Sequence, residues 1–154
     1  MLETEKYLRE PQARFEIGPA DVAVGGVEPY WDDELGQFVC LTALRSHNED
    51  NAAMDGCAGW LADRLLVYPV KGSGRDHACW QTQWRDKASA LAFVKAMSRV
   101  LAESYKVETG NMPVGFEQGG RCVRLLHDSA TARVVLIDAA DAEWADALEK
   151  RCLP

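Results

Sequence analysis

Between His77 and Tyr105 the chain changes its period within two residues. From His77 to Trp84, the side chains of Trp80, Thr82 and Trp84 alternate with Cys79, Gln81 and Gln83, the period of two expected of a half-buried antiparallel strand. After Arg85-Asp86, Leu91, Val94, Met97, Val100, Leu101 and Tyr105 recur at helical spacing. Asp86 stands where a carboxylate caps the first free N–H groups, which predicts a helix over Lys87–Tyr105. A two-stranded ribbon is marginal in water, so a strand that leads straight into an amphipathic helix must belong to a sheet which that helix covers.

The same order recurs downstream. A strand over Leu65–Val70 and the strand over His77–Trp84 flank the loop Lys71-Gly72-Ser73-Gly74-Arg75-Asp76. A second hairpin, Arg121–His127 and Ala132–Asp138, is joined by Asp128-Ser129-Ala130-Thr131. Asp141 then caps a last helix with Trp144, Leu148 and Cys152 at i, i+4 and i+8. This strand, strand, helix order repeated looks like a weak internal duplication. The fold expected is α+β: a mostly antiparallel sheet from two β-β-α units with helices packed on one side, preceded by one or two N-terminal helices. The first of these is predicted over Asp33–Arg45. The second is short, capped by Asp50 or Asn51 and ending at Gly56 or Gly59. Residues 1–30, rich in Pro, Gly and acids, are expected to be an extended lead-in or linker draped over the domain, leaving 31–154 as a single α+β domain. Residues 110–120, with Asn111, Pro113 and Gly119-Gly120, are expected to form a loop.

With 154 residues the chain suits one core, and a net charge of −7 sets its mean field against phosphate backbones and anionic lipid heads. Nucleic acid is therefore not an expected partner. No apolar stretch approaches the ~20 residues of a membrane span, so membrane insertion is not expected. Residues 1–11 are too polar for the apolar core of a signal peptide. The reading for location is periplasmic or exported if the chain is a fragment of a longer precursor, and otherwise cytoplasmic. Five cysteines form no CxxC pair; they read as small buried residues, with a bridge or two open to a domain that works outside the cytosol. The odd number leaves at least one thiol unpaired.

The stretch AGWLADRLLVY, 58–68, joins the short helix to the first hairpin. Gly59 falls where a helix ends and the chain turns, a place that favours a residue able to take positive φ. Trp60 is expected to pack on the hairpin, and Asp63 with Arg64 to tie the corner by charge-assisted hydrogen bonds to backbone or to each other. Gly59, Trp60, Asp63 and Arg64 are thus a structural corner. Leu35-Gly36-Gln37-Phe38, this Ala58-Gly59-Trp60 with Asp63-Arg64, Trp80 and Trp84, and the Ala-rich run from Asp86 to Phe93 together resemble a C-terminal module of uncharacterised, often exported bacterial proteins. Some of those proteins carry it behind a zinc-metallopeptidase-like region that is absent here. The resemblance covers roughly residues 35–97, has Leu61 and Ala62 where small or acidic residues often stand, and implies no catalytic residue.

The motifs of chemistry are sparse. His47, His77 and His127 lie in neither HExxH nor any other close ligand pair. Ser73, Asp76 and His77 are the residue types of a hydrolase triad, but they lack a nucleophile elbow; Gly72-x-Gly74 opens no phosphate-binding helix. Cys79 beside His77 on an alternating strand reads as packing. Neither an enzyme nor a bound cofactor or metal is expected. The expectation is a non-catalytic accessory or interaction domain that binds a protein or peptide partner. Tyr68, Trp80, Trp84, Asn111 and Phe116 are the candidate contact residues if the covering helix leaves the aromatic ladder partly open. The alternative is a small acidic inhibitor or immunity protein that neutralises a toxin or hydrolase, its charge steering it to a cationic cleft. Oligomeric state is open at this level.

Overall fold

The computed structural model describes residues 17, 22–70, 75–108 and 115–153. Ten elements follow in order: β1 (Trp31–Asp33), α1 (Gly36–Arg45), α2 (Asp50–Cys57), β2 (Trp60–Tyr68), β3 (His77–Trp84), α3 (Lys87–Tyr105), β4 (Gly115–Gln118), β5 (Arg121–Asp128), β6 (Arg133–Ala139) and α4 (Ala142–Cys152). The six strands form one antiparallel sheet in the order β1-β2-β3-β6-β5-β4. The α+β class and the two β-β-α units are as expected. Their hairpins meet at the centre, where Ala78–Gln83 of β3 pair with Arg133–Asp138 of β6.

Local chemistry accounts for the element ends. The Asp86 carboxylate accepts from the Ser89 N–H at 2.8 Å and Asp141 from the Trp144 N–H at 2.8 Å, each satisfying a donor that a helix start leaves free. Lys106 ends α3 in the left-handed conformation, φ 55°. No side chain caps α2; Glu49 holds the cap position, and Asp50 is already helical. The predicted helix over Asp33–Arg45 is shorter and begins at Gly36, because Trp31–Asp33 pair with Leu65–Val67 as a strand. Within the expected loop 110–120, Gly115–Gln118 pair with Arg121–Arg124 as β4. Residues 109–114 and 71–74 lie outside the described residues.

The pleat divides the core into two. On one face Trp80 and Trp84 of β3, Val123 and Leu125 of β5 and Val134 of β6 pack under α3 (Ala90, Phe93, Val94, Met97, Leu101), with Cys40, Leu41 and Leu44 of α1 and Ala53 and Cys57 of α2 alongside. On the other face Leu66, Tyr68, Cys79, Cys122, Val135, Ile137 and Ala139 pack under α4 (Ala145, Leu148, Cys152), together with Val22 and Val24. Placement of helices on one side thus describes α1–α3, whereas α4 crosses to the opposite face. The run Val134-Val135-Leu136-Ile137 in β6 is apolar on both faces for this reason. The two β-β-α units therefore repeat in order while sending their helices to opposite sides. Part of the lead-in joins the core: Ile17 and Val22 are buried, and Tyr68 donates its hydroxyl to the Val22 carbonyl at 2.7 Å.

In α3 the buried stripe runs through Ala90, Phe93, Val94, Met97 and Leu101, while Leu91 is 46% exposed. Small residues let α2 approach α3: a Cβ on Gly56 would stand 2.8 Å from the Ala96 Cβ. Asn48 clamps the same contact by donating to the Leu44 and Ala96 carbonyls at 2.8 and 3.1 Å.

Candidate functional site

The aromatic ladder is interior. Tyr68 and Trp84 are 0% and 1% exposed and Trp80 is 7% exposed; Trp84 stacks on Phe93, and Trp80 meets the same ring edge-on. Residues so enclosed offer a partner nothing to touch, which removes Tyr68, Trp80 and Trp84 from the contact surface. Helix α3 covers Trp80 and Trp84 on one face of the sheet, and α4 with Val22 covers Tyr68 on the other. Phe116 is half-buried, its ring against Tyr105, and Asn111 lies outside the described residues.

The corner at Gly59 is built as a joint. Gly59 takes φ +82°, its carbonyl accepts from the Arg85 N–H at 2.8 Å, and a Cβ there would stand 2.4 Å from Ser89 Oγ. Asp63 and Arg64, neighbours in β2, point to opposite faces and do not pair with each other. Asp63 is 1% exposed and accepts from the Gly36 N–H at 3.0 Å and from Trp80 Nε1 at 2.9 Å, hanging the start of α1 on the sheet. Arg64 forms a bidentate pair with Asp32 of β1, both contacts 2.8 Å, and donates to the Ile17 carbonyl at 3.0 Å. This pairing with Arg64 holds the Asp32 carboxyl below its ordinary pKa. Trp60 is half-buried and packs against the α1–α3 core.

The residue types of chemistry are tied into structure. His77 is 2% exposed, stacks on Trp144 with centroids 4.1 Å apart, and accepts from the Ala140 N–H at its Nδ1 at 3.1 Å. Burial first, and then Arg121, lower its pKa against the pull of Asp141. Asp76 receives the Tyr30 hydroxyl, and Ser73 lies outside the described residues. Arg121 joins the chain ends of the central strands: its Nε meets Asp138 Oδ1 at 2.6 Å, one Nη donates to the Asp76 carbonyl at 2.7 Å, and Tyr105 donates to Asp138 Oδ2 at 2.7 Å. Among the described residues no group of three or more His, Cys, Asp or Glu is placed to hold a metal ion.

What the fold leaves exposed is concentrated elsewhere. Of the large apolar side chains that stand open, Tyr30 (60%), Trp31 (52%), Phe38 (67%) and Val39 (40%) fall in ten consecutive residues, with Leu91 the other among the described residues. This segment comprises the terminal strand β1 and the outer side of α1. Strand β1 pairs with β2 along one edge, so its other edge is the border of the sheet. Glu28, Asp33 and Glu34 are exposed beside the aromatics, and the sequence has no Lys or Arg from residue 15 to residue 44. The surface is aromatic and acidic, and among the described residues no further strand pairs with the outer edge of β1. The helix expected over Asp33–Arg45 takes in both Asp33 and Phe38; Asp33 instead closes β1, and Phe38 stands on the outer side of α1.

A family model described as "Domain of unknown function (DUF8575)" matches residues 28–149, and the chain belongs to that family. Comparison with curated proteins and with solved structures gives no match. Among the described residues no helix is long and apolar enough to cross a membrane.

Proposed function

We propose that this member of the DUF8575 family is a non-catalytic interaction domain that binds a protein or peptide partner through the β1 edge and the outer side of α1. The observation that carries the reading is the gathering of Tyr30, Trp31, Phe38 and Val39, all exposed, into one ten-residue segment at the border of the sheet. Exposed aromatics are the residues that supply most binding energy at interfaces, and a sheet border offers backbone N–H and C=O groups to an extended segment. The acids Glu28, Asp33 and Glu34 favour a partner segment that is both cationic and apolar.

The test is peptide display selection on the intact domain, followed by titration of the selected peptides against the native protein and a Trp31→Ala/Phe38→Ala variant. Enrichment of Lys- or Arg-containing apolar peptides, weakened ~100-fold or more by the double variant at unchanged circular dichroism, supports the reading. Peptides that bind both proteins equally, or a selection that enriches nothing, overturn it. The gathering of acids on this same surface also favours the second reading, an inhibitor or immunity protein directed at a basic toxin or hydrolase. Binding that falls steeply between 0.05 and 0.5 M salt and blocks a cationic hydrolase points there, as electrostatic steering requires.

A further inference from the structure

On the α4 face of the sheet two cysteines 73 positions apart in sequence meet in the interior. Cys79 belongs to β3, one of the two central strands, and Cys152 is the last residue of α4. They are 0% and 1% exposed. Their sulfurs stand 3.0 Å apart, only about 1 Å beyond the ~2 Å length of a sulfur–sulfur bond. The apolar neighbours Leu66, Ile137 and Leu148 enclose them. The hydrogen bond with Cys79 shifts the Cys152 thiol down, with Arg133, Arg151 and Arg64 adding positive charge in the same sense, while that of Cys79 is shifted well up by its neighbour and by burial.

We propose that Cys79 and Cys152 are a modification site that closes into an intramolecular disulfide during oxidative folding, fastening the last turn of α4 to the centre of the sheet. The oxidant is a low-molecular-weight disulfide such as oxidised glutathione, available while both thiols are still accessible. The Cys152 thiolate attacks one sulfur of the oxidant and expels the first small thiolate, which takes the proton that Cys152 gave up. Cys79 then loses its proton and attacks Cys152 Sγ in the mixed disulfide, expelling the second small thiolate, which takes that proton. Two protein thiols are oxidised to one disulfide while one small disulfide is reduced to two thiols. The bond closes a loop of more than seventy residues, long enough for a large effect on the unfolded chain. Such a pair is useful to a protein that folds in an oxidising compartment.

The experiment is refolding of the full chain in a glutathione redox buffer, blocking of the remaining thiols with a maleimide in denaturant, and non-reducing peptide mapping by mass spectrometry. Cys122 shares the same face and is the natural competitor for Cys79, so the map discriminates between the two pairings. The expected result is a linked pair of peptides carrying Cys79 and Cys152, and a Tm about 10 °C above that of the reduced chain. Cys122→Ser keeps both the linkage and the shift, whereas Cys152→Ser loses both. Cys79 recovered with the maleimide attached, or linked to Cys122, overturns the proposal on the unaltered sequence, whatever the stability of the variants.

Discussion

The carboxylate of Asp63 hydrogen-bonds the start of the first helix to the sheet, and its contribution is open to a double-mutant cycle. It is 1% exposed and accepts two hydrogen bonds, from the Gly36 N–H at 3.0 Å and from Trp80 Nε1 at 2.9 Å. Asp63→Ala strands both donors inside the protein. With about 1.5–3 kcal/mol for each hydrogen bond to a charged group, the loss comes to roughly 3–6 kcal/mol. Asp63→Asn keeps one oxygen but sets an amide N–H against a donor, so it costs about 2 kcal/mol or somewhat more. Trp80→Phe removes the indole donor and some volume, at about 2–3 kcal/mol. Guanidinium titration of the four proteins of the Asp63→Ala/Trp80→Phe square, with slopes held common, measures the coupling. A coupling of about 1.5–3 kcal/mol is expected. A value below ~0.5 kcal/mol refutes the assignment of Asp63 as an anchor, because the two side chains then act independently of the bond between them.

Four further outcomes follow from the geometry. Gly59→Ala must hold φ +82° and push its Cβ into Ser89, which Asp86 keeps in place through two 2.8 Å hydrogen bonds, so it loses about 2–4 kcal/mol by chemical denaturation; a neutral result denies the joint. Asp86→Ala removes the cap of α3 and lowers Tm by a few degrees; in the parent protein the carboxyl, held at about 2 by Ser89 and Arg85, keeps contributing until the pH falls below the unfolded value of 3.8 toward that point. His77 and His127 have pKa values depressed by burial, so the unfolded chain binds protons more readily; stability is full above the unfolded value of 6.5 and declines as the pH falls through it toward the folded values. His77→Gln, which still offers an acceptor to the Ala140 N–H, flattens that slope in Tm measured from pH 7.5 to 5, and an unchanged slope contradicts the assignment. Trp31→Ala/Phe38→Ala changes stability by about 0.5 kcal/mol or less for each side chain, since both are half or more exposed; a large destabilisation places them in the core rather than on a binding surface.

The candidate surface was less legible in the sequence than the fold. Trp80 and Trp84 announce themselves by alternation, yet the pattern is equally that of a ladder open to a partner and one sealed under a helix. Sealing depends on Phe93 and Met97 arriving from another element. Tyr30 and Trp31 carry no periodic signal and stand at the border strand β1, while Phe38 shares the helical spacing of Leu35, Val39 and Thr42 and is left open by how α1 packs. Neither outcome follows from residues close in the chain.

Taken alone, the amino-acid order determined the elements whose causes are local. Strand β3 shows a period of two from Cys79 to Trp84, although the fold buries both of its faces, α3 and α4 are capped by Asp86 and Asp141 within three residues of the N–H groups they satisfy, and Gly59 marks the turn between helix and strand. The tertiary structure alone decided that β3 lies against β6, that α4 takes the face opposite α3, that WDD becomes a strand, and that Cys79 meets Cys152. Each of these is a pairing across tens of residues. Its free energy depends on both partners and on the burial they create together, so neither segment carries the information by itself.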